Sequence, residues 1–366
     1  MYAFKILYNQ KLRLFLTVGG ISLCLILMLF LLGIYRGVAD GSVEYIKKNK
    51  VDLWVLQKNC TNILRGTSLL STFNQVILED DSNIETVSPV LLILSTIKYN
   101  NKTATTFLTG YYPELGFGGP PELIDGRTIK NGNEIVIDKS FAEKYNLKIG
   151  NRLQIQDKTM KVVGISKGTN AFVIQYSFTT LKQVQSFIGF PNIVSCYLVK
   201  LKKGSNINSV INELQKRLPG TAIYSYPQFL KNNIKEMESG FLPILYAIAI
   251  ISAIVLTAIL SLILSINILE RQKDFAVMKT LGSPASFLPK LIILQALIIT
   301  FISVIVMLIL FFPLVQFIES ISPEVSTEIS IIQIFSVISL ALLMSLLSSF
   351  ISLPRLRKIY TLEAFK

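Results

Sequence analysis

Apolar and polar positions along this chain fall into two regimes. Four stretches hold no Asp, Glu, Lys or Arg: residues 14–35, 239–269, 291–318 and 324–354, the last apart from Glu324 and Glu328 at its edge. Each exceeds the roughly 20 residues that carry a helix across a hydrocarbon core of about 30 Å. Helices of a soluble core rarely run so far without charge. Transmembrane helices are therefore expected at 14–36, 239–269, 291–318 and 329–354. Between the first two the texture changes to short β-rich runs at 52–56, 90–99, 105–109, 134–137, 152–155 and 160–165. Helical candidates sit at 139–145 and 206–217, the latter stopped by Pro219-Gly220. The expected fold is an α-helical membrane protein with four transmembrane helices and a large α+β extracytoplasmic domain, 37–238, inserted between helices 1 and 2. Two lobes are expected in that domain, and no internal repeat is present.

The second apolar run is long. Its 31 residues would make a helix of about 46 Å, well beyond the bilayer core. Either it projects from the membrane, together with an extension of helix 1 through 35–48, as a stalk, or tilt absorbs the excess.

Composition agrees with the membrane class: 51% of residues are hydrophobic, 16% are charged and the mean hydropathy is +0.53. The net charge of +13 would fit a nucleic-acid partner, but Lys and Arg are spread over every polar segment, with no arginine-rich tract. No nucleic acid is therefore expected. Residues 36–238 carry 25 basic and 17 acidic side chains. That excess suits either a well-solvated surface or one that attracts anionic headgroups or an acidic ligand. Cys60 and Cys196 allow a disulfide in an oxidising compartment, without a spacing motif to support it. The absence of histidine removes the commonest metal ligand and general base.

Charge also sets the orientation. The segment 1–13 carries Lys5, Lys11 and Arg13 without an acid, and its apolar spacing fits an amphipathic helix on the inner headgroups. The 270–290 connection supplies Arg271, Lys273, Lys279 and Lys290, and the 355–366 terminus supplies Arg355, Arg357, Lys358 and Lys366. The short 319–328 loop has Glu319, Glu324 and Glu328 and no base. The positive-inside rule then places both termini in the cytoplasm and 37–238 outside. The first helix is too long for a cleavable signal peptide, and no A-x-A site follows it.

Candidate chemistry is sparse. No spanning segment holds a central ionisable residue, which argues against ion coupling through the membrane. Gln295, Gln316 and Gln333 are expected to bond to neighbouring helices. No phosphate-cradling G-x-x-x-x-G-K-[ST] loop, nucleophile elbow or zinc motif is present, and Glu122 and Asp125 read as surface acids. A non-catalytic subunit without a cofactor of its own is expected. Gly33, Gly37 and Gly41 recur every fourth residue at the outer end of helix 1. They mark either a fraying helix end or a smooth face for close helix crossing at a homodimer seam.

The strongest local signal is the 270–282 stretch. Glu270, Arg271, Lys273 and Asp274 precede an apolar face expected from Phe275, Met278 and Leu281, with Lys279 among them and Gly282 as helix C-cap before Pro284. Such a short capped helix suits either docking in a partner's groove or resting on headgroups.

Glu270, Arg271, Asp274, Ala276, Val277, Met278, Lys279, Leu281 and Gly282 all match the E-R-x-x-[DE]-x-[AG]-[VI]-[ML]-[KR]-x-[LI]-G phrase. On this phrase the chain resembles the MacB/FtsX-like permeases of ABC transporters. Gly126-Arg127, Glu134-Ile135-Val136, Ala142, Lys148-Ile149-Gly150 and Val162-Val163-Gly164-Ile165 follow that family's outer-domain pattern, with Asn151 where Asp is usual. Pro354-Arg355-Leu356-Arg357 and Thr361-Leu362-Glu363-Ala364-Phe365 resemble its ending. Chain length and the 274–279 phrase look closest to the DevC and haem-exporter (Hrt-type) branch. Under that branch Met28 and Tyr35 are candidate haem ligands, although both are ordinary residues for an apolar helix and its interface.

The resemblance implies a MacB-like periplasmic core and a homodimer in the bacterial cytoplasmic membrane. It also implies two copies of a separate ABC ATPase, which binds ATP and Mg, and it leaves room for a periplasmic adaptor. The expected role is mechanical coupling of ATP hydrolysis to the outer domain, for export or extraction of a hydrophobic or amphiphilic substrate. The alternative is an FtsX-like regulator that activates an extracytoplasmic cell-wall hydrolase.

The orientation is directly testable. In a cysteine-free background, single cysteines at Lys102 and Ser322 should react with an impermeant thiol reagent in intact cells, and one at Ser283 should not. Labelling of Ser283 alone would reverse the topology.

Overall fold

The computed structural model describes residues 11–64, 66–100, 102–171, 174–284, 286–323, 327 and 329–357. Most of the 1–13 segment, Glu324, Glu328 and the 361–365 phrase lie outside the described residues. The chain divides into two units. One contains residues 11–36, 241–318 and 327–357, and the other contains 37–240 with 319–323.

Among the described residues, four helices are long and apolar enough to cross a membrane, with spans Leu14–Gly37, Leu242–Glu270, Phe287–Ile321 and Ile331–Arg355. The first two belong to longer helices. Helix α1 runs Lys11–Asn49, and its last 12 residues, 38–49, lie beyond the apolar span. The helix that carries the second span begins at Tyr226 and continues unbroken to Glu270. Sequence placed the start of that run near 239, because the preceding turns are polar. Their helical state comes from packing, described below.

In the inserted domain the elements follow in order: β1 (Leu53–Gln57), β2 (Leu70–Ser71), α2 (Asn74–Glu79), β3 (Ile84–Tyr99), β4 (Lys102–Tyr111), β5 (Glu122–Gly126), β6 (Glu134–Asp138), α3 (Lys139–Lys144), β7 (Arg152–Ile155), β8 (Lys158–Lys167), β9 (Asn170–Ala171), β10 (Ile174–Thr180), α4 (Leu181–Ile188), β11 (Ile193–Val194), β12 (Cys196–Leu201), α5 (Ile207–Arg217) and β13 (Thr221–Ser225). Then come α6 (Tyr226–Glu270), α7 (Gln272–Thr280), α8 (Phe287–Ile321) and α9 (Ile331–Arg357). The main sheet has the order β13-β1-β12-β3-β4-β10-β6-β8-β5, with β7 bridging β3 and β8. Strand β3 is shared between two partners along its length. Its first half pairs with β12, including Pro89 opposite Tyr197, and its second half pairs with β4 from Leu91 to Tyr99.

Period-two alternation divides the sheet's side chains between two cores. Leu53 and Val55 of β1, Tyr197 and Val199 of β12, and Ile135 and Ile137 of β6 enter one cluster. Short helices cover it, through Leu78, Phe141, Leu181, Val184, Val210 and Leu214. The intervening residues Trp54 and Leu56, Cys196 and Leu198, and Val136 enter the other cluster. That second face is covered by the ends of the two long helices, through Tyr45 and Ile46 of α1 and Phe229 of α6. Cys60 and Cys196 both lie in this cluster as free, buried thiols, so the disulfide that sequence allowed is not formed.

In the membrane unit, Ile21, Leu25 and Leu29 of α1 pack with Leu256 and Leu260 of α6, Met307 and Phe311 of α8, and Val337 of α9. Hydroxyls and one amide supply polar contacts between the helices. Ser22 donates to the Ser303 carbonyl at 3.0 Å. Ser348 donates to the Thr257 carbonyl at 3.0 Å and Ser352 to that of Ser261 at 3.2 Å. Gln333 donates to the Leu32 carbonyl at 2.9 Å, which is the interhelical role read for it from sequence.

One ion pair anchors β6. Arg127 grips Glu134 through both carboxylate oxygens, at 2.8 and 2.5 Å, and the backbone N–H of Lys130 adds a third bond. The guanidinium bond first, helped by the backbone donors, holds the Glu134 carboxyl down at about 2. A depressed folded-state pKa contributes stability above the unfolded value, lost as pH falls through the window from about 4.5 to 2. Arg127→Ala should therefore lower the melting temperature at pH 7 and flatten its fall between pH 5 and 3. Thermal unfolding across that range checks this, and a variant with the wild-type acid slope would contradict it.

Candidate functional site

Helix α7 lies between the second and third spans and is fixed at both ends by its sequence. At its start, Arg271 departs from helical geometry while its N–H still bonds to the Asn267 carbonyl, so the chain turns without losing its hydrogen bonds. At its end, Ser283 N–H bonds to the Met278 carbonyl at 3.1 Å and Gly282 N–H to that of Lys279 at 3.2 Å. This is a Schellman cap, and it needs a left-handed residue, supplied by Gly282 at φ +81°. Pro284 follows and stops any continuation. Asp274 in the first turn and Lys279 in the last complement the helix dipole.

Which face points inward differs from the sequence expectation. Phe275 is 1% exposed and, with Ala276, packs into Leu264 and Ile268 of α6 and Leu288, Leu291 and Ile292 of α8. Met278 is half-buried against the same cluster. Val277 and Leu281 point outward, 44% and 82% exposed, with Lys273 and Asp274 exposed beside them. The reason is angular. Residues six apart on an α-helix are separated by about 120°, so Phe275 and Leu281 cannot share a face, whereas Lys273, Val277 and Leu281 form an i, i+4, i+8 stripe. Phe275 ties α7 to its own membrane helices and leaves the outward apolar positions to Val277 and Leu281. Glu270 is exposed, and Arg271 lies 3.9 Å from Asp274.

The long helices are rooted in the inserted domain by matching devices. On α1, the Asn49 side chain donates to the Tyr45 carbonyl at 2.8 Å and accepts from Gly118 N–H at 2.7 Å. On α6, the Asn233 side chain donates to the Phe229 carbonyl at 2.8 Å and accepts from Ile63 N–H at 3.0 Å. Tyr45 donates its hydroxyl to the Gly118 carbonyl at 2.7 Å and stacks on Tyr176 at 5.2 Å. Phe229 stacks on Trp54 at 4.7 Å, and Tyr45 meets Trp54 edge-on at 6.3 Å. Two helices are thus pinned to one aromatic core. Nothing in the sequence spacing marked Asn49 and Asn233 as a pair. The repeated aromatic-x-x-x-Asn phrase was the available signal.

The small-residue face of α1 is filled from within the chain at two of its three positions. A side chain at Gly33 would crowd Ile329, and one at Gly41 would collide with the Asn170 carbonyl. Gly37 is buried. The close approach expected of Gly33 and Gly41 is therefore made to the chain's own segments. Met28 packs against the membrane core, and Tyr35 is half-buried.

A groove of about 730 Å³ runs between α6 and α9, lined by Ala249, Ala253, Thr257 and Ser261 on one side and Leu340 and Met344 on the other. Helix α6 is the least enclosed of the four, with 17% of its span buried.

Comparison with known proteins fits this arrangement. Residues 14–217 match the MacB-like periplasmic core domain, and residues 246–361 match the FtsX-like permease C-terminal domain. A "Putative hemin transport system permease protein HrtB" of Staphylococcus epidermidis is 27% identical, over 99% of this chain and 98% of its own. An uncharacterized ABC transporter permease of Mycobacterium tuberculosis is 22% identical, over 81% of this chain and 80% of its own. The periplasmic region of MacB from Actinobacillus actinomycetemcomitans covers 52% of this chain and 95% of its own, at 16% identity and a TM-score of 0.42. With one family model spanning the first helix and the inserted domain and another spanning the last three helices, the chain belongs to the MacB/FtsX-like family of ABC transporter permeases.

Proposed function

We propose that this chain is the membrane subunit of an ABC transporter that works as a homodimer with two separate ATPase chains in the bacterial cytoplasmic membrane. ATP and Mg bind to the ATPases, and α7 is where their movement enters this chain. The observation that carries the reading is the division of labour on α7. Phe275 and Ala276 hold it to the membrane helices, while Val277 and Leu281 stand exposed beside Lys273 and Asp274. An apolar pair within a charged rim is the pattern of a helix that fills a partner's groove.

Movement passes from α7 into α6 and α8, and along α6 and α1 into the domain, which by the charge rule lies outside the membrane. The domain moves as a body because both helices end in its core. The cargo is hydrophobic or amphiphilic and need not cross the bilayer centre, in keeping with spans that lack central ionisable groups. The hemin named for the Staphylococcus epidermidis relative is a cargo of this kind. A second copy covers the α6–α9 groove. That face combines the least buried span with a small residue at every fourth position, from Ala249 to Ser261, so two helices can approach closely.

Leu281→Asp should bury an unpaired carboxylate in the ATPase groove. A loss of about 3 kcal/mol would weaken association by roughly two orders of magnitude. The variant should insert normally yet fail to copurify with its ATPase, while Lys273→Ala should be mild, because rim charges contribute little. Phe275→Ala should instead lower the melting temperature of the membrane unit by opening a cavity. Undiminished copurification of the Leu281→Asp protein with its ATPase would remove the docking role.

A further inference from the structure

The inserted domain carries a polar cleft of about 300 Å³ to which the transport reading assigns nothing. Its wall brings together the end of α1, the end of β4, the 113–121 loop and β12. Three cations line it, Lys48, Lys50 and Lys200, with no carboxylate among the lining residues. Lys48 is partly committed, 3.3 Å from Glu122. Lys200 lies over the Phe117 ring at 4.7 Å, and Lys50 has no ion-pair partner among the described residues. Lys50 also sits at φ +39°, a conformation that non-glycine residues seldom adopt.

The second feature is Tyr111, which lines the same cleft at 3% exposure and whose buried hydroxyl has no hydrogen-bond partner among the described residues. A hydroxyl withdrawn from water without a partner is costly in a folded domain, and an acceptor oxygen in the cleft would relieve that cost. The loop that closes over it is built for close approach, since a side chain at Gly119 would collide with the Tyr111 ring.

We propose that this cleft binds the phosphate group of a small organic phosphate, with Lys50 and Lys200 as the charged contacts and the Tyr111 hydroxyl as a neutral donor. Lysine ammonium groups serve phosphate as point charges that can reach several oxygens. Burial first, and Glu114 second, push the Tyr111 hydroxyl up to about 12, so it remains a donor at neutral pH. The space exceeds that of a bare phosphate and leaves room for a short organic part beside Phe117. The phosphate could belong to a free metabolite or to a lipid headgroup, and the test separates the two.

Full-length protein in phosphatidylcholine nanodiscs is titrated with sn-glycerol 3-phosphate by calorimetry and again in discs containing phosphatidylglycerol. Binding in both discs assigns the site to a soluble phosphate. Binding lost only where phosphatidylglycerol is present assigns it to the headgroup. The double variant Lys50→Ala/Lys200→Ala should weaken binding by about tenfold or more, and Tyr111→Phe by about threefold or more, with no drop in melting temperature. Lys102→Ala, at an exposed lysine elsewhere on the domain, should change nothing. The site is overturned by absence of binding in both discs, by an undiminished double variant, or by an equal loss in Lys102→Ala. It is overturned equally if Tyr111→Phe lowers the melting temperature and leaves binding intact.

Discussion

Tyr45 and Phe229 reach the inserted domain on different helices and meet on the same indole, that of Trp54. The sheet leaves them little alternative. Alternation puts Trp54, Leu56, Cys196 and Leu198 on a face that the short helices do not cover, and α1 and α6 cover it through Tyr45, Ile46 and Phe229. Removing a buried aromatic side chain typically costs about 3–5 kcal/mol, against a total domain stability of about 5–15 kcal/mol. Peeling either helix away would therefore approach the cost of unfolding the domain.

The membrane supplies the complementary constraint. Backbone groups in hydrocarbon must be satisfied within their own segment, so the spans are helices, and a helix already formed needs no new nucleation to continue past the interface. Helices α1 and α6 continue in that way. Pro243 removes one backbone donor near the start of the second span, yet α6 runs through it. At the other end, α7 is held by Phe275 below and capped by Gly282, so it is a defined element and not a loose loop. The proposed coupling rests on these three features: a capped short helix, long helices that continue past their apolar spans, and their ends packed in the domain core.

Much of this was legible in the residues. Charge-free runs marked the four spans, and the 152–155 strand was read with the bounds that the structure gives. Strand β3 was read from Val90, but it begins at Ile84 and carries Pro89 opposite Tyr197, a residue that sequence rules seldom admit inside a sheet. Strand β12 was missed because it is buried on both faces, and a short apolar run without alternation has no diagnostic period. Phe275 was misplaced by counting apolar residues without their angles. The cleft around Tyr111 could not be read at all, since Lys50 and Lys200 come to line it only once β1 pairs with β12.

Hydrogen exchange on the intact protein in nanodiscs tests the central claim most directly. If force passes through unbroken helices into a rooted core, amides across 36–48 and 230–246 should exchange slowly and at similar rates, apart from the missing donor at Pro243. Fast exchange confined to 37–42 or to 238–242, with protected flanks, would place a flexible joint between membrane and domain and contradict the account.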